Sequence, residues 1–160
     1  MNLAILISRL AREVRSYGWT LARASEREPS LVSYDSPRAL LAALADRRPD
    51  TFAARDALVR AVIAEHRRRP HPLWPSVLTI AFHPMLAGLR GRIATRAPGE
   101  LDQAVVMAFL ESIERVALRT NMAARLRCAT HRAIFRALGR EQRRLARTLP
   151  IASEDQRVLD

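Results

Sequence analysis

The chain has 160 residues, the size of one ordinary domain, and is 49% hydrophobic and 27% charged, which excludes a fully disordered or fibrous chain. All 27 basic residues are arginine against 16 acids, and the formal net charge of +11 points to an anionic partner, nucleic acid ahead of a membrane surface. Cys128 is the single cysteine, so a disulfide scaffold and a CxxC zinc or redox site are excluded, and one thiol suits a reducing cytoplasm.

Residues Met1 to Ser8 are apolar but meet Arg9, Arg12, Glu13 and Arg15 at once, so they read as the opening of a helix and not as a leader. Leu3, Leu6, Ile7, Leu10, Val14, Tyr17 and Leu21 recur at three- and four-residue steps, which predicts an amphipathic N-terminal helix or arm over 1–28. The near-heptad spacing leaves two readings open, packing on the chain's own domain or a homodimer seam. Glu28 to Pro37, with two prolines, reads as a linker. Ser36 then looks like an N-cap with Pro37 at the first helical position, for a short helix to about Arg47.

Pro49 and Asp50 repeat the start signal, and Phe52, Ala53, Leu58, Val59, Val62 and Ile63 give a second stripe that ends before Arg67-Arg68-Arg69-Pro70. Pro70 to Pro75 is a proline-dense corner. A helix from Ser76 to about Arg96 follows, in which His83-Pro84 should force a kink or break. Ala97-Pro98-Gly99 separates it from a helix over Glu100 to Leu118, and Thr120-Asn121 is expected to cap the longest helix, to about Arg147. Residues 149–160 read as a short acidic tail. Almost nothing alternates with the period of a strand, and no apolar run approaches the ~20 residues of a membrane span. The expectation is an all-α bundle of five or six helices, with 37–148 as the main domain.

Between Arg115 and Arg147 stand ten arginines and one acid, Glu141. At about 100° per residue, Arg125, Arg132, Arg136, Arg140, Arg143 and Arg147 fall within about 80° of one another, while Thr130, Ile134, Leu138 and Leu145 gather on the far side as core. Solvated helices normally mix signs at i,i+4, and here the repulsion is left unrelieved. Arginine forks onto phosphate and stacks on bases, so these six residues are the candidate nucleic-acid contacts. Arg67, Arg68 and Arg69, with His66 and His71, form a second basic cluster that the helix dipole accounts for equally well. No metal-ligand spacing, GxSxG, P-loop, GxGxxG or paired-carboxylate pattern occurs, so no enzyme, metal or cofactor is expected. Cys128 reads as an ordinary helix residue beside Arg127.

Glu100-Leu101-Asp102-Gln103, then Val105, Val106, Met107, Phe109 and Leu110, a loop near Thr120, and Met122 to Arg144 with Ala123, Ala124, Leu126, Ala133 and Leu138 together resemble the second conserved region of bacterial sigma factors, closest to the extracytoplasmic-function type. In that family an acidic-Leu-x-Gln-acidic motif opens a helix, and a later helix carries a basic tail. The resemblance implies a cytoplasmic, nucleoid-associated transcription protein of all-helical fold. Glu100, Leu101 and Gln103 would meet the clamp helices of RNA polymerase, and Arg132, Arg136 and Arg140 would face promoter DNA. Ala104 departs from the family's second acid, Leu110 from a frequent tryptophan, and Arg125 from an expected aromatic, which leaves Phe135 as the one ring for stacking on opened bases. The 13 residues after Arg147 are too few for a helix-turn-helix, so a truncated relative is expected. The alternative from another class is a helical interaction protein that dimerises through its N-terminal helix and binds nucleic acid or acidic partners without sequence choice.

Overall fold

Proline and capping side chains set the helix boundaries. The computed structural model describes residues 2–93 and 101–148. They form α1 (Leu3–Glu13), α2 (Gly18–Ser25), α3 (Pro37–Ala45), α4 (Phe52–Arg68), α5 (Leu73–Ala81), α6 (His83–Ile93), α7 (Leu101–Arg115) and α8 (Met122–Thr148), with no strand among the described residues. Single 3₁₀ turns lie at Val14–Tyr17, Pro29–Leu31 and Pro49–Thr51. Ser36 caps α3 as expected, its Oγ accepting the Ala39 N–H, and Pro37 fills the first turn, where a missing N–H costs nothing.

The all-α reading holds, with eight α-helices among the described residues instead of five or six, and two breaks account for the difference. The predicted first helix is interrupted because Ser16 turns its hydroxyl back onto the Glu13 carbonyl (2.7 Å), competing with the helical ladder just before Gly18. The predicted helix after the proline corner begins at Leu73 and parts at Phe82, because Pro84 has no N–H to continue it.

Residues 2–28 do not stand apart from the rest: Leu3, Val14, Leu21 and Ala24 belong to the same buried cluster as Trp74, Phe109 and Ile134. Leu31, in the segment read as a linker, is fully buried there too. The stripe on α1 and α2 therefore packs on the chain's own core, with Leu6, Ile7 and Tyr17 against its edge. At the centre is α5, buried through Leu73, Trp74, Val77, Leu78 and Ala81 and packed on α1, α3, α4 and α7. A helix apolar on most of its circumference belongs inside.

Helix ends are closed by charged side chains from other helices. Three of these closures come from α4. The Arg55 Nε–H donates to the Leu44 carbonyl at the end of α3 (2.6 Å), and Arg67 donates to Ile113 O (2.6 and 3.1 Å) and Val116 O (2.7 Å) at the end of α7. Asp56 accepts the backbone N–H of Met122 (2.6 Å) and Asn121 (3.1 Å) at the start of α8. A fourth comes from α7: Asp102, buried and ion-paired with Arg90, accepts the Leu3 N–H (3.0 Å) at the start of α1. Buried N–H and C=O groups need such partners.

Candidate nucleic-acid interface

Six connecting residues return the chain from α7, and α8 packs antiparallel along it. The turn closes through Asn121 at φ 64°, a left-handed conformation that asparagine tolerates better than most residues. The cap expected from Thr120-Asn121 is supplied instead by Asp56, whose carboxylate also lies 3.8 Å from Arg60. An anion at a helix N-terminus meets both the orphan N–H groups and the dipole.

From that start, Met122, Leu126, Thr130, Ala133 and Ile134 are buried, and Leu138 packs at the core's edge. Leu145, expected in the core, is 61% exposed. Its helix outruns its partner: 27 residues make about 40 Å against about 22 Å for the 15 of α7. Every side chain from Arg140 to Arg147 is exposed.

The six candidate arginines, Arg125, Arg132, Arg136, Arg140, Arg143 and Arg147, all lie on exposed positions of α8. Among the described residues none of them pairs with an acid. Arg125 and Arg132 hold their Nε–H on carbonyls of their own helix region, Thr120 O (2.9 Å) and Cys128 O (3.3 Å), and their terminal nitrogens make no further hydrogen bond among the described residues.

Two grooves flank the strip. One, of about 600 Å³, lies between the second half of α7 and α8 and is lined by Arg115, Arg125, Arg132 and Arg136. Its acid, Glu111, is already engaged by Arg115 at 2.8 Å. The other, of about 670 Å³, lies between the end of α6 and α8, lined by Leu89, Arg92, Arg127, His131 and Arg132. Cys128, exposed, borders both.

Near the start of α8, Arg47, Arg55 and Arg127 border a smaller hollow of about 310 Å³. Burial, and then the charge of Arg47, lower the Arg55 pKa, and its guanidinium lies 5.2 Å from the Phe82 ring centre. Arg92 lies on α6 and Arg47 in the loop after α3, so no periodicity along α8 points to either. Arg127 falls outside the 80° strip, and it gains company from Arg92 on one side and from Arg47 and Arg55 on the other.

At the opposite end of the hairpin, Glu100 lies outside the described residues. Leu101 is 7% exposed and belongs to the core, while Gln103 is exposed. The expected docking corner thus retains one outward side chain among its described members, since Asp102 is spent on Arg90 and α1. Phe135 is 39% exposed with its ring 4.7 Å from that of His131. In the second basic cluster, Arg67 closes α7 and Arg68 pairs with Glu65 (3.1 Å), so both are structural.

Among the described residues no group of three or more His, Cys, Asp and Glu is placed to hold a metal, and no helix is long and apolar enough to cross a membrane. The chain shows no significant match to a protein-family profile, a curated protein or a solved structure, so its functional reading rests on this geometry.

Proposed function

We propose that the chain is a non-enzymatic, cytoplasmic, nucleoid-associated protein that binds duplex DNA through the phosphate backbone, using the arginine strip of α8. The observation that carries this reading is the row of six exposed strip arginines that meet no acid among the described residues, set between two arginine-lined grooves. From Arg125 to Arg147 the strip runs about 33 Å, close to the ~34 Å of one duplex turn. Guanidinium forks suit phosphate oxygens, and such contacts position without reading sequence.

The test is a titration of duplex DNA at several salt concentrations. If about four to six phosphates are met, log K against log salt should fall with a slope of about −4 to −5. An affinity that ignores salt would sink the reading.

The resemblance to sigma factors extends the proposal to docking on RNA polymerase. The antiparallel α7–α8 pair with Gln103 exposed in the first turn of α7 favours it. On that reading Gln103→Ala lowers affinity for core polymerase about tenfold while DNA affinity is unchanged, since ~1.4 kcal/mol at a hot spot is a factor of ten. Equal binding by the variant leaves the DNA-binding reading standing alone.

A further inference from the structure

A cavity of about 510 Å³ opens where α2, the end of α4 and the start of α5 meet, on residues remote in sequence from α8. At its rim Trp19 is 71% exposed, the most exposed of the large apolar side chains among the described residues. Its ring lies 4.8 Å from the Arg23 guanidinium, one turn along α2. Three guanidiniums, those of Arg23, Arg27 and Arg69, face the cavity against one carboxylate, Glu65.

That carboxylate is not available to a cation. Glu65 is 1% exposed and held on both oxygens, by Arg27 at 2.7 Å and Arg68 at 3.1 Å. Arg69 makes no ion pair among the described residues, and the contact of Arg23 with Glu26 is a 4.0 Å approach between two exposed side chains, worth little. The free charge in the cavity is therefore positive.

The wall is fixed. His71 Nδ1 accepts the Leu73 backbone N–H (3.1 Å), which places the ring proton on Nε2, 3.3 Å from Thr20 Oγ1. Thr20 then accepts from the imidazole, and its own hydroxyl proton is left to donate into the cavity. Tyr17 holds the other side of the imidazole edge to face, with centroids 4.9 Å apart. Trp74, fully buried, lies behind.

We propose that this cavity binds a nucleotide unit, its base stacked on Trp19 and its phosphate held by Arg23 and Arg69, with Thr20 donating one more hydrogen bond. The site offers a flat aromatic face and unneutralised guanidiniums together, and nucleotides carry the matching pair of a π-ring and a phosphate. Inorganic phosphate would leave Trp19 uncovered, and a nucleoside would leave Arg69 unpaired. The volume lies in the range of small-molecule sites. The ligand chemistry is shared by a free mononucleotide and an unpaired nucleotide of a single strand. The proposal rests on no part of the α8 reading.

The experiment is calorimetric titration of the full chain with AMP and, separately, with a short oligothymidylate, with adenosine and inorganic phosphate as partial ligands. Saturable binding of AMP above either partial ligand assigns a free nucleotide. Binding of the oligonucleotide alone assigns an unpaired base. In either case Trp19→Ala should weaken binding at least about fivefold, the usual cost of a lost base–aromatic stack. Arg69→Gln should weaken AMP while leaving adenosine unchanged. Both side chains are exposed, so circular dichroism should show each variant folded as wild type. The proposal is overturned if neither nucleotide ligand binds, if phosphate binds as well as AMP, or if Trp19→Ala binds equally well.

Discussion

Helices α4 and α8 are both rich in charge, yet they use it in opposite ways. On α4, Arg55, Asp56, Glu65, Arg67 and Arg68 each meet a partner described above, His66 meets Glu114 at 2.6 Å, and three of these residues close the ends of other helices. On α8 the six arginines of the strip meet no acid among the described residues. The same residue type is thus joinery in one helix and an open surface in the other. What separates them is a carboxylate, or the backbone carbonyl of another helix, within reach, since Arg125 and Arg132 find only carbonyls of their own helix region, and one-dimensional charge counting does not see this.

The widest gap between the two helices should appear at Asp56. Asp56→Ala strips two N–H groups at the start of α8 of their acceptor, and should cost about 2–3 kcal/mol in denaturant unfolding. For a chain of this size that lowers Tm by roughly 4–12 °C. Next comes Arg67→Met, which leaves the Ile113 and Val116 carbonyls without their donor and should cost about 1.5–2 kcal/mol. A loss below a few tenths of a kcal/mol at both positions would remove the distinction.

Across the divide, changing Arg132, Arg136 and Arg140 together to Gln should alter stability by no more than ~0.5 kcal/mol, the usual range for surface positions. The salt slope of DNA binding should nonetheless flatten by about 2.7, three phosphates at ~0.9 each. Loss of helicity in that variant would show that α8 arginines are joinery after all.

The smallest effect concerns Asp46, at the end of α3. Hydrogen bonds from the Arg48 side chain and backbone hold its carboxyl at about 2, below the usual 3.8. Because the folded value is depressed, this contact's contribution is present above the ordinary carboxylate range and is lost as pH falls toward about 2. NMR titration of Arg48→Ala should find the Asp46 carboxyl higher than in wild type. No change would mean the backbone bond alone sets it.

Much of the fold was legible from local signals. Ser36-Pro37, Pro49 and the break at His83-Pro84 are decided within a few residues, and the stripe from Leu3 to Leu21 fixed which face of α1 turns inward. The cap on α8 was misread because its acceptor, Asp56, lies 66 residues from Met122, where no local pattern reaches. The strip on α8 was legible since helical periodicity alone lines up Arg125, Arg132 and Arg136. The grooves beside it were not, because Arg92 and Arg115 come to the strip only through packing of α6 and α7. Leu101 looked like part of a docking corner, and its burial follows from the contact of α7 with α6 and α8.

The remote closure of α8 also orders events in time. During synthesis Asp56 leaves the ribosome 65 residues before Asn121, so the acceptor waits for its donors. The α7–α8 hairpin can form from contacts near in sequence, while the bond that seals it needs a long loop to close first. Interactions made after the rate-limiting crossing change how long a native molecule lasts and leave its rate of formation alone. If the Asp56 bonds form after that crossing, the unfolding limb of a chevron should rise in Asp56→Ala while the folding limb stays where it was, and a fall of the folding limb would place them before it.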